Sequence, residues 1–467
     1  MSRKHKGKVV PVAIEGFSKR GNGIGHFSSW TVEVPFTMQG DRVQASLLRK
    51  RRGSFLARLE ELETPASDRL DSKCKHFGQC GGCRWQHVPY PSQLSEKEER
   101  VIKVFGDLLN LDQMFPIIPC DPPWHYRNKM EFSFSSDSAG ERYLGLMMEG
   151  GRGRVFHLTE CHLCSPWFAE TLKAVREWWK ETSLDAYHPY RNSGSLRTLT
   201  LREGLRTGDK MVILTVSGNP DYAINQDQIQ SFVKSVDFGE RTPSVFLRIH
   251  QIMKGKPTQF YEMLLKGPEH IEEQLTIFDK TMRFKVSPSA FFQPNTRQAE
   301  KLYQRAIEMA DIQKEDVVYD LYCGTGTLGL CAAQIAARVV GIELVPEAIL
   351  DARENAQLNQ CENIEFFKGG VSQILDQLIL DEEIPKPDVV LVDPPRVGLD
   401  QKSLEHLVSL KARTIVYVSC NPTSQAENIK EILKAGYELQ ACQPVDQFPH
   451  TVHIETIAVL KRISHEI

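Results

Sequence analysis

The stretch VVYDLYCGTGTLGL, residues 317 to 330, leaves few folds open to this chain. An apolar run of strand length stops at a tight glycine turn and passes straight into a helix start, with Gly324, Gly326 and Gly329 in the G-x-G-x-x-G spacing. Such a turn lets a cofactor approach the backbone closely and aims a helix N-terminus at it. Alone, that spacing is a weak signal. It gains weight because the strand-like ARVVGIE ends in Glu343, seventeen residues after Gly326, where a carboxylate can bind ribose hydroxyls. PDVVLVDPPR then ends at Asp393, Pro394, Pro395 and Arg396, TIVYVSCNP carries Ser419 and Cys420 at its end, and HTVHIETIAVL puts Glu455 at the entrance to a last strand. Strands alternating with helices predict one doubly wound α/β sheet, with the glycine turn, Glu343, Asp393 and Cys420 along its carboxyl edge.

Cys420 raises its own question. Free cysteine is among the most buried residue types, so a lone thiol ending a strand is most simply core. The carboxyl edge of an open sheet is, however, where ligands sit.

The rest of the chain narrows the class. At 467 residues and 41% hydrophobic, it has length for about three domains and ample core. It opens Met1-Ser2-Arg3-Lys4-His5-Lys6 with no apolar stretch behind it and has no run of about 18 apolar residues, so a soluble, cytoplasmic protein without a membrane segment is expected. The overall charge of -3 hides an asymmetry: residues 1 to 58 hold twelve Lys and Arg against three Asp and Glu, a net +9 on an otherwise acidic body. A basic end of this kind suits contact with phosphates. Short strands at Val9 to Ile14, Thr31 to Pro35, Arg42 to Leu48 and Phe55 to Leu59, with turn glycines in KRGNGIG, predict a small OB-like β-barrel there. Phe17, Phe27 and Trp30 would give it aromatic surface for single-stranded nucleic acid.

Next, CKHFGQCGGCRWQH sets Cys74, Cys80 and Cys83 in C-x5-C-x2-C spacing, and ECHLC offers Cys161 or Cys164 as a fourth thiol. Clustered thiols in a cytosolic chain point to metal, and their spacing leaves zinc and an iron-sulfur cluster both open. SEKEERVIKVFGDLLN reads as an amphipathic helix. The segments KMEFSF, RYLGLM, LRTLTLR, KMVILTV and SVFLRIH alternate as half-buried antiparallel strands do. The expected division is a barrel over 1–64, a central antiparallel-sheet domain with the cysteine site over 65–284, and a Rossmann-like domain over 285–467. The helix near 92–110 is expected to pack on the last of these.

Across nearly its whole length the chain resembles the RNA uracil-5-methyltransferases, specifically the type acting on 23S ribosomal RNA that carries an N-terminal TRAM barrel and a 4Fe-4S cluster. The resemblance rests on CGGC after C-x5, FFQPN at 291 to 295, DLYCGTGTLGL, DPPRVGLD, SCNP and HIET, all in order. It implies S-adenosyl-L-methionine as cofactor and RNA as partner, with 23S rRNA favoured and the T-loop of tRNA as the alternative; a monomer is assumed.

The implied chemistry gives Cys420 a purpose. C5 of uracil is a poor nucleophile toward a sulfonium methyl group until a thiolate adds at C6 and makes C5 enolate-like, after which a base removes the C5 proton and the thiol is expelled. By match to the family's motifs Cys420 is the nucleophile and Glu455 the base. An ordinary thiol is only a few per cent ionised at neutral pH, so the site is expected to stabilise the anion. The resemblance also implies that Gln293, Tyr322, Glu343 and Asp393 contact S-adenosylmethionine, with Glu343 on the ribose and Asp393 serving either the cofactor or the uracil edge. It implies that Cys74, Cys80, Cys83 and Cys161 ligate the cluster. The family has proline after the fourth ligand where this chain has His162, and Cys164 is close behind, so Cys161 and Cys164 both stay open. A nicotinamide oxidoreductase would use the glycine turn and Glu343 but not Cys420 or Glu455, and a non-catalytic RNA-binding protein would need only barrel and cluster.

Overall fold

The computed structural model describes residues 6–51, 53–151, 153–239, 241–253, 255–380 and 384–463. Arg3, Lys4 and Arg52 of the basic N-terminal count lie outside them. Among the described residues no helix is long and apolar enough to cross a membrane.

Five strands, β1 (Val9–Phe17), β2 (Gly23–Phe27), β3 (Trp30–Val34), β4 (Arg42–Arg51) and β5 (Ser54–Thr64), close into a barrel in the order β1-β2-β3-β5-β4. Alternation buries Val10, Val12, Ile14, Val43, Ala45 and Leu47 inside it. The sequence predicts four strands; the fifth, β2, is the stretch read as turn glycines. Its glycines are needed within the strand, since a Cβ at Gly25 would stand 1.9 Å from the Ala13 carbonyl oxygen of the neighbouring strand. The barrel is seated on the central region of the chain: the Trp85 indole N–H donates to the Gly21 carbonyl (3.0 Å) and Arg100 to that of Ser18 (2.8 Å). Deleting the barrel would therefore expose Trp85, and neutralising exposed Lys8, Arg49 and Lys50 to glutamine is the cleaner probe. If all three touch phosphates of single-stranded RNA, the slope of log affinity against log salt falls by about 2, measured by a salt series of binding isotherms.

Helix α1 (Tyr90–Phe105) begins before its expected start, with proline in its first turn. Its Val101 and Phe105 join the core formed by Tyr319, Leu321 and Ile454 of the C-terminal unit. The central sheet contains β6 (Lys129–Ser136), β7 (Arg142–Gly145), β8 (Leu196–Glu203), β9 (Lys210–Ser217), β10 (Ser244–Gln251) and β11 (Gln259–Lys266), ordered β11-β10-β9-β8-β6-β7. It departs from the expected antiparallel sheet at one ladder, since β9 and β10 run parallel. Helix α3 (Gln226–Ser235) lies between them in the chain, and parallel neighbours need a crossover of this kind. Together with α2 (Pro166–Lys180), α3 covers one sheet face through Phe168, Leu172, Val175, Trp179 and Phe232. A hairpin of β12 (Ile271–Ile277) and β13 (Lys280–Val286) comes after it.

The C-terminal sheet is the expected doubly wound one. Its strands β14 (Val317–Leu321), β15 (Arg338–Glu343), β16 (Ile364–Lys368), β17 (Val389–Val392), β18 (Thr414–Ser419), β19 (Tyr437–Val445) and β20 (Glu455–Arg462) take the order β16-β15-β14-β17-β18-β20-β19. The first five are parallel, and β20 runs antiparallel between β18 and β19. Helices α4 (Thr296–Ala310), α5 (Thr327–Ala332), α6 (Pro346–Leu358), α7 (Val371–Leu380), α8 (Gln401–Ser409) and α9 (Pro422–Lys434) accompany it. Strand order reverses between β14 and β17, which opens the crevice in which such sheets bind ligands.

Candidate active site

At that crevice β14 runs into Tyr322, whose φ of 66° is left-handed, and then through Gly324 and Gly326 at φ 54° and 79° into α5. Gly326 is constrained, because a Cβ there would meet the Phe366 ring at 2.9 Å. Gly324 faces open space within 4 Å, leaving room for a ligand against bare backbone. Buried Asp320 holds the turn by accepting the Gly329 N–H (2.7 Å), and burial, with Asp393 and Glu343 nearby, raises its carboxyl to about 7. Glu343, ending β15, accepts N–H bonds from Gly324 (3.1 Å) and Val345 (2.8 Å), so its carboxylate borders the same cradle. The Tyr322 hydroxyl donates to Ser403 (3.3 Å).

Gln293 lies three residues before α4. It is buried, its side-chain oxygen accepts from Gln447 (3.2 Å), and its carbonyl accepts from Asn128 (3.0 Å). Asp393 sits just past β17, with its N–H on the Leu321 carbonyl (3.3 Å), and burial raises its carboxyl to about 7.

Cys420 stands between β18 and the start of α9, half-buried, with Asn421 capping the helix. The pairing of Ser419 with Thr456 sets Cys420 beside Glu455 at the head of β20. Contrary to expectation, the resting site does not favour the thiolate: burial, then Glu455 and Asp393, push the thiol up to about 11. Glu455 is buried and raised well above the ordinary carboxylate range by desolvation and by Asp393. Arg396 opposes the shift at both groups. Its guanidinium donates to His453 Nδ1 (3.4 Å), and burial and that cation lower His453 to about 4, keeping it neutral. The sequence pattern assigns Arg396 and His453 no role; the only signals for them are an arginine closing the DPPR stretch and a histidine two residues before Glu455.

A second cluster lies away from this crevice. Cys74, Cys80, Cys83 and Cys161 line one cavity, walled also by Phe77, Met130, Leu146 and Leu158, whereas Cys164 is absent from the lining. Cys164 is buried, its thiol donates to the Cys161 carbonyl (3.7 Å), and its side chain lowers the Cys161 thiol. Among the described residues no three His, Cys, Asp or Glu side chains converge on a single-ion site.

The profile of the family described as tRNA (uracil-5-)-methyltransferase matches residues 247–463. An RNA methyltransferase of Protochlamydia amoebophila is 52% identical over 440 residues, 92% of this chain and 99% of the relative. The chain belongs to the RNA uracil-5-methyltransferase family. A second RNA methyltransferase, of Chlamydia trachomatis, is 38% identical over 84% of this chain and 98% of its own. Among solved structures, the Pyrococcus abyssi tRNA (uracil-54, C5)-methyltransferase in complex with S-adenosyl-L-homocysteine shares the fold, with a TM-score of 0.73 at 24% identity over 97% of this chain and 100% of that one. This methyltransferase thus acts on RNA, and its crevice gathers Tyr322, Glu343, Asp393, Cys420 and Glu455 along one sheet edge.

Proposed function

We propose that this RNA methyltransferase transfers a methyl group from S-adenosylmethionine to C5 of a specific uridine in 23S ribosomal RNA through a covalent bond between Cys420 and C6. The observation that carries the reading is the placement of Cys420 at the end of β18 beside the buried carboxyl of Glu455.

S-adenosylmethionine, when bound, supplies an electrophilic methyl carbon. The open backbone at Gly324, the Glu343 carboxylate and the Tyr322 ring fit its methionine and ribose parts, and Gln293 and Asp393 close the crevice. Cys420 Sγ adds to C6 and gives C5 enolate character; once C5 is methylated, Glu455 takes the C5 proton and the C6–S bond breaks, returning the thiolate. The raised carboxyl of Glu455 suits a base that must hold the proton it receives. The target uridine has to leave its stack to reach Cys420, at a cost of a few kcal/mol that a loop position would reduce.

Because thiol and base both titrate high, and both act deprotonated, the single-turnover rate rises with pH. Quench-flow at saturating RNA and cofactor is expected to give an increase continuing past about pH 8.5, the ordinary thiol value, toward the Cys420 value of about 11. A plateau near neutrality would mean a thiolate formed before substrate binds.

The cavity ringed by Cys74, Cys80, Cys83 and Cys161 supports a 4Fe-4S cluster held by these residues, since four thiols surround a space and none of the trios closes on one ion as zinc requires. Such a cluster would hold the 74–86 and 159–164 segments together, which Lys75 and His76 already join to Glu160 and Thr159. Iron and acid-labile sulfide analysis of anaerobically purified protein tests it. The barrel over residues 1–64 is assigned to RNA phosphates, the region 65–284 to the cluster and RNA, and 285–467 to catalysis.

A second reading, methylation of the tRNA T-loop, draws support from the full-length likeness to a protein that acts on uracil-54 of tRNA. Methyl transfer from labelled S-adenosylmethionine to unmodified 23S rRNA and tRNA transcripts, with mass mapping of 5-methyluridine, separates the two. Product in the ribosomal transcript supports the first reading; product confined to tRNA overturns it in favour of the second.

A further inference from the structure

The central sheet has one face under α2 and α3 and another that looks the opposite way. Side-chain alternation assigns the residues: Val245 and Leu247 pack with the helices, while Phe246 joins the core on the other side, so Arg248 and His250 continue that second face. On it, Arg248 donates to the Pro288 carbonyl (3.0 Å), and Arg202 donates to those of Ser287 (3.0 Å) and Ala290 (2.6 Å), the segment that leads into Phe291, Phe292 and Gln293. The face therefore meets the segment leading to Gln293, which the proposed function puts in the crevice. Two residues beyond Arg248, about 7 Å along the strand, the face changes character.

There His250 pairs with Phe260 across β10 and β11, their rings tilted at 4.5 Å between centroids. Phe260 is 55% exposed. On the other side of His250, and close enough to lower its pKa together with burial, is Arg197. The Arg197 guanidinium lies 3.8 Å from the centroid of the Tyr187 ring, and its Nη1 is buried with no hydrogen-bond partner. Thr215, buried on the same face opposite Arg248, also has its hydroxyl unpaired. Buried donors without acceptors are costly, and an open row of aromatic rings and an arginine plane is a poor core but a good bed for unstacked bases.

We propose that Tyr187, Arg197, His250 and Phe260 form a stacking platform for unpaired bases of the RNA next to the target uridine. The proposal rests on the RNA methyltransferase reading above and adds to it the surface that selects substrate context. Bases extruded along the strand beside the flipped uridine stack on His250 and Phe260. An exocyclic carbonyl or a phosphate accepts from Arg197 Nη1. The single-stranded character of the flank, rather than its base identity, is then what the enzyme reads, because every base has a π-face.

The test uses the full-length protein and a substrate RNA that the wild type methylates, with single abasic residues scanned through the flanks of the target. Phe260→Ala with His250→Ala is expected to weaken binding of the intact RNA by about 5- to 150-fold, while Phe260→Trp restores it. The thermal shift produced by S-adenosylhomocysteine stays at the wild-type value in every variant, which separates this loss from misfolding. An abasic residue at one or two flanking positions should weaken the wild type by a similar factor and leave the double variant indifferent. Wild-type affinity in the double variant, or a loss that is the same on intact and abasic RNA, would overturn the platform with the methyltransferase reading intact. Absence of methylation by the wild type on every RNA would instead overturn the reading on which it rests.

Discussion

Cys420→Ala is expected to abolish methyl transfer, by about 10⁴-fold or more, while RNA binding and the thermal shift with S-adenosylhomocysteine persist. Under the proposed mechanism nothing else in the crevice can add to C6. Glu455→Gln is the more informative partner. It leaves Cys420 free to add and C5 free to be methylated, but removes the acceptor for the C5 proton, so a methylated RNA–protein adduct should accumulate and survive denaturing gel electrophoresis. The amide also removes a carboxyl whose charge holds the thiol up, so adduct formation should not slow. Wild-type protein should form the equivalent adduct on RNA containing 5-fluorouridine, whose C5 carries no proton to remove, and Cys420→Ala should not. Turnover by Cys420→Ala within a few fold of wild type would remove covalent catalysis from this site altogether.

The second large effect concerns stability. Lys97 and Asp446 form a fully buried ion pair at 2.5 Å; Asp446 also accepts the Tyr90 hydroxyl (2.7 Å), and Lys97 also donates to the Phe448 carbonyl (3.0 Å). Burial lowers the Lys97 pKa, and the Asp446 carboxylate opposes that. Lys97→Met leaves the carboxylate buried and uncompensated and should cost about 3–5 kcal/mol. Lys97→Met with Asp446→Asn removes both charges yet keeps an acceptor for Tyr90, and should be clearly less damaging than the single change. Urea unfolding monitored by tryptophan fluorescence and by circular dichroism gives the comparison, with the two probes also testing whether the transition is cooperative. Equal losses in the single and double variants would show that side-chain packing rather than charge dominates.

Local pattern carried much of this molecule. The glycine turn and the strand ends at Glu343, Asp393 and Cys420 are short-range signals that fall along the carboxyl edge of the doubly wound sheet, and the grouped cysteines are another, four of them lining one cavity elsewhere. What failed to show depends on partners distant in the chain. Nothing in KMVILTV and SVFLRIH distinguishes a parallel from an antiparallel neighbour, because side-chain period is two in either case; the small helix α3 decides it. Strand β11 is exposed along most of its length, so no burial pattern stands behind it in the sequence. Lys97 lies in SEKEER, which reads as a solvated helix face until Asp446 is brought to it from the far end of the chain. The chemistry expects a site that stabilises the Cys420 thiolate, and in the structure burial, with two carboxylates brought in from elsewhere along the sheet edge, raises the thiol instead.

The placement of β20 between β18 and β19 constrains the order in which the sheet can be completed. Glu455 heads a strand that is made after both of its neighbours, so β19 can join the sheet only once this last strand has emerged from the ribosome. The segment before it is gripped by residues made long before: the Arg84 and Trp85 N–H groups donate to the His450 carbonyl, Gln93 accepts the His450 N–H, and Lys97 holds Asp446. A nascent chain thus has the glycine turn and Cys420 in hand before it has Glu455, the base of the proposed mechanism. Under the proposed mechanism, turnover rather than methyl transfer therefore waits on the last hairpin, whose leading segment docks against residues 84 to 97.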